Sequence, residues 1–254
     1  MNAPEQPGQT VPVNGIDLYY EVHGAGEPLV LLHGLTGCSG DWAYAGRDQL
    51  VGDYQLIIPD ARGHGRSTNP QKTLTHRQCA LDFLALLDHL GIQKCKAIGM
   101  SFGGNTLLHM ATLQPDRFEA LVLVSATLYF PEQARQIMRQ APVENAPPEE
   151  WRAMRERHKL GDEQIVTLWE QQRGLKDSYD DVNFTPPYVS RIKARTLIVY
   201  GDRDPLYPVE MAVEMYRAIP RSQLWVIPNG GHGPIFLDAA DPFVRTSRQF
   251  LKAG

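Results

Sequence analysis

Residues 94–111 read KCKAIGMSFGGNTLLHMA. A short apolar run through Ala97 and Ile98 passes Gly99-Met100-Ser101-Phe102-Gly103-Gly104 and enters a stretch with Leu107, Leu108, Ala111 and Thr112 at helical spacing. A strand therefore turns sharply into a helix around a single hydroxyl. The flanking glycines allow the bend where a Cβ would clash, and they place Ser101 in a strained, exposed position. Glycines and a serine capping a helix would produce the same letters. What separates the two readings is whether the chain also supplies a base for the serine proton and donors for the charge that follows.

Working outward, short β-rich runs recur as IDLYYEVHG, PLVLLHG, YQLIIPD, CKAIGMS, EALVLVSA, RTLIVYGD and QLWVIPN. The last five are almost continuously apolar, the pattern of strands covered on both faces of a parallel sheet. Helical patterns separate most of them. The clearest starts at Thr75, where Thr75-His76-Arg77-Gln78 forms a capping box. Ala80, Phe83, Leu84, Leu87 and Leu90 then mark one face, and Gly91 ends it. Alternating strands and helices predict an α/β fold with a mostly parallel central sheet flanked by helices.

From Leu128 to Ser190 the rhythm stops. No strand pattern is present, only helix-like segments rich in Arg, Glu and Gln, broken by APVENAPPEE and NFTPPY. This predicts a helical cap over residues 128–190 inserted into a core domain of residues 1–127 and 191–254. The arginines of WRAMRERHK, residues 151–159, read as a solvated helix face.

The whole-chain properties exclude several classes. At 254 residues with 43% hydrophobic content, the chain can bury a large core. Its formal charge of −4, without a basic run, argues against nucleic acid or a membrane surface as partner. The three cysteines, Cys38, Cys79 and Cys95, lack metal-like spacing and read as buried reduced thiols. No segment approaches the roughly 20 apolar residues of a membrane span. MNAPEQPGQT reads as a frayed polar arm rather than a secretory signal, so a cytoplasmic protein is expected.

Eight histidines could serve as base. His232, in WVIPNGGHGPIF, follows the final β-like run in a glycine-rich loop, where α/β proteins place their chemistry. His76, His89, His109 and His158 fall on or beside helices as surface or packing residues, and His23 precedes a turn where solvent exposure is expected. A carboxylate to orient His232 is offered by GDRDPLYP as Asp202 or Asp204. Asp204 is preferred: the order Ser101, Asp204, His232, each after its own strand, is that of a serine triad built on an α/β sheet. Asp202 would then tie down the turn. The backbone N–H groups of Phe102, at the start of the helix, and Leu35, after the strand ending in His33-Gly34, are candidate donors to an oxyanion.

With these residues in place, the chain resembles the α/β-hydrolase superfamily over essentially its whole length. LLHGLTG resembles the oxyanion loop, GMSFGG the nucleophile elbow, GDRDPLYP the acid loop and GGHGP the histidine loop. DARGHGRS, residues 60–67, completes the set. The resemblance supports Asp204, three residues after Gly201, and makes His64 structural. It implies a serine hydrolase acting on a small carboxylic ester or lactone, with no cofactor and no metal. Carbon–carbon hydrolases of the superfamily commonly carry Asn before the nucleophile and Trp after the histidine, where this chain has Met100 and Gly233. That favours esterases and enol-lactonases over carbon–carbon cleavage. Acyl transfer on the same triad and a ligand receptor of this fold are the further alternatives. For a substrate with an apolar group, Trp42, Leu128, Tyr129, Phe130, Met138, Trp151, Met154, Trp169 and Phe184 are candidate pocket residues. The alternative for the residues of the cap is that they form its own small core.

Overall fold

Along the strands, successive side chains go to opposite sides of one sheet. Val30, Leu32, Ala97, Leu121 and Leu123 pack into one hydrophobic cluster, whereas Leu29, Leu31, Ile98, Ala120 and Val122 pack into another. A sheet buried on both faces needs apolar residues at every position, which is why the sequence runs appear continuous rather than alternating.

The computed structural model describes residues 8–141 and 145–253. Its strands are β1 (Gln9–Val13), β2 (Ile16–His23), β3 (Glu27–Leu32), β4 (Tyr54–Pro59), β5 (Cys95–Met100), β6 (Phe118–Val124), β7 (Arg195–Gly201) and β8 (Ser222–Ile227). They form one sheet in the order β1-β2-β4-β3-β5-β6-β7-β8. The pairs β1–β2 and β2–β4 are antiparallel, and all others are parallel. The helices are α1 (Arg47–Leu50), α2 (His76–His89), α3 (Phe102–Leu113), α4 (Glu132–Arg139), α5 (Pro148–Arg157), α6 (Asp162–Gly174), α7 (Pro186–Val189), α8 (Val209–Ala218) and α9 (Ala240–Lys252). One face of the sheet is covered by α2, α3 and α8, through Phe83, Leu107 and Met211. The other is covered by α1, α9 and the turn carrying Trp42, through Leu50, Phe243 and Leu251.

The helix after Thr75 forms with the first half of its capping box, while the Gln78 side chain donates to Asp82 Oδ1 at 3.2 Å instead of closing the second half. Thr75 Oγ1 accepts the Gln78 N–H at 3.0 Å, and Gly91 follows the helix at φ 68°. Three other details differ from expectation. Gln9 and Thr10, read as part of a polar arm, belong to the edge strand β1; residues 1–7 of that arm lie outside the described residues. β8 is only half-buried because it is the opposite edge of the sheet. His23 is not exposed: it ends β2 within 2.8 Å of Glu21, and its side chain retains 11% of its accessible surface.

Between β6 and β7 the chain builds α4 to α7. Within APVENAPPEE, residues 142–144 lie outside the described residues. Leu128, Phe130, Met138 and Phe184 of this segment join the large cluster under α3 and α8, while Met154, Ile165, Leu168 and Trp169 form a separate small one. The inserted segment is thus partly continuous with the main core. The three cysteines are buried and unpaired, and burial pushes the thiols of Cys38 and Cys95 up to about 12. No helix among the described residues is long and apolar enough to cross a membrane.

Candidate active site

Six parallel strands end at the same edge of the sheet, so the loops after β3, β5, β7 and β8 meet there. β5 lies between β3 and β6, with Leu32 opposite Gly99 and Met100 opposite Val124. The loop containing Leu35 is therefore beside Ser101, although β4 comes between them in sequence.

Ser101 adopts φ 51°, ψ −108°, a sparsely populated conformation for a residue with a side chain. Its glycine neighbours make this possible through close approach rather than left-handed backbone. A Cβ on Gly99 would lie 2.5 Å from the Gly103 carbonyl oxygen, and one on Gly103 would run into the Leu32 carbonyl. The strain is carried by Ser101 itself, which is held by its N–H donating to Val124 O at 2.7 Å and its carbonyl accepting from Asn105 N at 2.9 Å.

Ser101 Oγ lies 2.8 Å from His232 Nε2, and His232 Nδ1 lies 2.8 Å from Asp204 Oδ2. An ionised carboxylate only accepts, so Nδ1–H donates to Asp204 and Nε2 is left free to accept the serine proton. Asp204 is buried, whereas Asp202 is exposed. The second Asp204 oxygen, Oδ1, accepts the backbone N–H groups of Leu206 at 2.8 Å and Tyr207 at 3.2 Å. The Tyr207 ring meets the His232 ring edge-on at 5.2 Å. Such a chain of groups can generate a serine alkoxide equivalent and return the proton to a leaving group.

Among the described residues, the Leu35 and Phe102 N–H groups have no acceptor. The Leu35 N–H shares its peptide plane with the Gly34 carbonyl, which accepts from His33 Nδ1 at 2.7 Å and from Gly37 N at 3.0 Å. His33 Nε2 in turn accepts the Ala61 N–H at 3.0 Å, which fixes the tautomer. His64 is fully buried behind this loop, 5.1 Å from the His33 ring. Burial, with His33 and His158 nearby, holds its imidazole well below the ordinary histidine range. Among the described residues, no group of three or more His, Cys, Asp or Glu side chains is placed to hold a metal ion.

A cavity of about 550 Å³ opens on the Leu35 and Met100 side of this constellation. Ser101 and His232 are not among its lining residues, but Gly34, Leu35 and Met100, which adjoin the serine, are. Met100 bridges two loops: a Cβ on Gly34 would lie 2.7 Å from its sulfur, and one on Gly233 would lie 3.4 Å from its Cε. The two positions at which the chain departs from the carbon–carbon hydrolase pattern are thus neighbours in space.

Of the aromatic candidates, only Trp42 lines the cavity, joined there by Met154. Trp151 and Trp169 pack against each other edge-on at 4.7 Å in the small cluster of the insertion. Phe130 is buried and stacks on Tyr207 at 6.5 Å, the ring that also meets His232. Tyr129 is largely exposed and donates to Glu214 at 3.3 Å. The sequence reading also missed Arg157, Phe236 and Tyr44, which line the cavity. Arg157 belongs to the stretch read as a solvated face, yet its Nε donates to Asp41 Oδ1 at 3.0 Å across the join between α5 and the loop after β3. Helical periodicity could identify the face but not what docks on it.

The chain is similar over most of its length to several known proteins. The chain is 28% identical to serine hydrolase BPHL of Mus musculus over 250 residues, covering 95% of this chain and 85% of that one. It is 27% identical to the 2-hydroxy-6-oxo-6-phenylhexa-2,4-dienoate hydrolase of Burkholderia cepacia over 260 residues, covering 91% and 90%. Among solved structures, an N-acyl homoserine lactone degrading enzyme superposes with a TM-score of 0.75 at 22% identity, covering 96% of this chain and all of that one, a likeness of fold. The sequence model of the alpha/beta hydrolase family matches residues 29–246, and with the sheet, the elbow and the loop order in place, the chain belongs to that family.

Proposed function

We propose that this protein hydrolyses a carboxylic ester or lactone through an acyl-enzyme on Ser101. The observation that carries the reading is the pair of 2.8 Å hydrogen bonds joining Ser101, His232 and Asp204 beside an apolar cavity. His232 Nε2 takes the serine proton as Oγ attacks the carbonyl carbon, and the carbonyl electrons move onto oxygen. The N–H groups of Leu35 and Phe102 receive that oxyanion, each contributing about 3 kcal/mol to the transition state. Collapse breaks the ester bond, and Nε2–H protonates the departing alkoxide. Water then gives its proton to the same nitrogen as it attacks the acyl carbon, releasing the acid and restoring Ser101. Asp204 keeps the imidazole in the required tautomer throughout.

In this reading the insertion is a cap. Met154 and Arg157 of α5, with Trp42 and Phe236 from the core, enclose the cavity and suit a small substrate with an apolar group. Carbon–carbon cleavage is the second reading, favoured by the dienoate hydrolase relative. Met100 and Gly233 weigh against it.

The test combines labelling by a fluorophosphonate with hydrolysis of p-nitrophenyl esters of short and long acyl chains, lactones and vinylogous diketones. Ser101→Ala should abolish labelling and reduce kcat by about a millionfold. Esterase activity retained in folded Ser101→Ala removes Ser101 as nucleophile, and faster turnover of the diketones than of any ester moves the assignment to the second reading.

A further inference from the structure

The Leu35 N–H sits in a turn that is not self-sufficient. Gly34 to Gly37 closes through Gly37 N–H on Gly34 O at 3.0 Å, with Thr36 as third residue at φ 60°. That position ordinarily calls for Gly, and a β-branched residue there persists only where its surroundings over-determine it. Part of the constraint is local: Thr36 Oγ1 donates to Leu35 O at 2.6 Å. The rest comes from the insertion, more than a hundred residues away in sequence.

His158 follows α5 and is buried. Its Nδ1 accepts the Gly65 N–H at 2.9 Å, so the ring proton is on Nε2, which donates to the Thr36 carbonyl at 3.1 Å. The imidazole is thus clamped between the loop after β4 and the loop carrying Leu35. The same corner is fastened by Lys159 N–H on Gly65 O at 2.9 Å and by Gln164 Nε2 on Gly63 O and Gly65 O at 3.0 and 3.1 Å.

We propose that His158 is a positioning residue for the oxyanion donor: by holding the Thr36 carbonyl from the inserted segment, it keeps the Gly34–Gly37 turn in the conformation that presents the Leu35 N–H. The inference rests on the serine hydrolase reading above. It makes the donor complete only while α5 is docked, so the insertion contributes to the chemical step as well as to enclosure of the substrate.

Two variants separate the bonds. In His158→Gln the side-chain amide N–H reaches the place of Nε2 and keeps a donor for Thr36. In His158→Asn the shorter amide keeps an acceptor for Gly65 and loses the Thr36 bond. Kinetics of the full chain on a p-nitrophenyl ester and its thiono analogue, with thermal melts, form the test. The Asn variant should lose about 10- to 100-fold in kcat, less than the 10²- to 10³-fold of deleting a donor outright, with KM unchanged. The loss should shrink on the thiono ester, whose sulfur accepts hydrogen bonds poorly, and the Gln variant should recover most of the rate. Three results would overturn the assignment: wild-type kcat in the Asn variant, equal losses on both esters, or a Gln variant as slow as Asn. Ser101→Ala run alongside keeps the two levels apart. If it hydrolyses the ester as fast as wild type, the underlying hydrolase reading fails; if it is inactive while His158→Asn is unaffected, only the role of His158 does.

Discussion

Replacing Asp204 by Asn is the perturbation whose outcome the geometry determines most closely. An amide is nearly isosteric with the carboxylate but has one accepting and one donating end. In the native site, Oδ1 receives two backbone N–H groups, from Leu206 and Tyr207, and Oδ2 receives His232 Nδ1–H. If the amide oxygen turned toward His232, its NH₂ would confront two fixed donors, leaving both unsatisfied at about 1–3 kcal/mol each. If the oxygen stays with the backbone, only the imidazole has to adjust, by moving its proton from Nδ1 to Nε2. The second orientation wins by several kcal/mol, and it leaves Nε2 unable to accept the serine proton. Asp204→Asn should therefore fold normally and lose about 10⁴-fold in kcat, equivalent to about 5 kcal/mol of transition-state stabilisation. Asp202→Asn, at an exposed position without a side-chain partner among the described residues, should retain wild-type kcat. Saturation kinetics on a p-nitrophenyl ester, with circular dichroism to establish folding, provide the measurement. A folded Asp204→Asn protein within tenfold of wild type, or a larger loss at Asp202, would refute the assignment of the acid.

Trp169→Ala removes the largest buried side chain of the insertion's small cluster and should cost about 3–5 kcal/mol in that segment's stability, read by hydrogen exchange of α5 and α6. Because Trp169 does not line the cavity, preference among ester chain lengths should be unchanged; an altered preference would place it at the substrate. Burial holds the His158 imidazole down at about 4, with His33 and Arg157 pushing the same way against the Thr36 hydrogen bond and Asp41. Its neutral form therefore supports the fold fully above the unfolded value near 6.5, and that support is lost as pH falls from there to about 4, by about 3 kcal/mol. Urea melts across this window should show a shallower pH slope for His158→Gln, and identical slopes would contradict the assignment.

Much of this was legible because it is written locally. The strand, elbow and helix around Ser101 follow from apolar spacing and two glycines, and the Thr75 cap from a four-residue motif. The partners of Ser101 were legible by a different route: a parallel sheet delivers its loops to one edge, so position after a strand substitutes for knowledge of distance. What stayed hidden was decided by long-range docking. His158 and Arg157 looked like any polar residues near a helix end, because nothing in their neighbourhood of sequence announces Thr36 or Asp41. Trp151 and Trp169 had the composition of a pocket, but apolar side chains fill whichever space is nearest, and here that was each other. β1 was missed because Gln9, Thr10 and Pro12 suit the open side of an edge strand, which needs little hydrophobic content.

The Met100 thioether wedged between Gly34 and Gly233 makes the site sensitive to oxidants. Because Met100 also lines the cavity, the extra oxygen of a sulfoxide puts a polar, bulkier group into the apolar wall beside the serine, where the two loops meet. Mild peroxide should consequently silence the protein without touching Ser101 or unfolding the sheet, methionine sulfoxide reductase should revive it, and a Met100→Leu variant should survive the exposure.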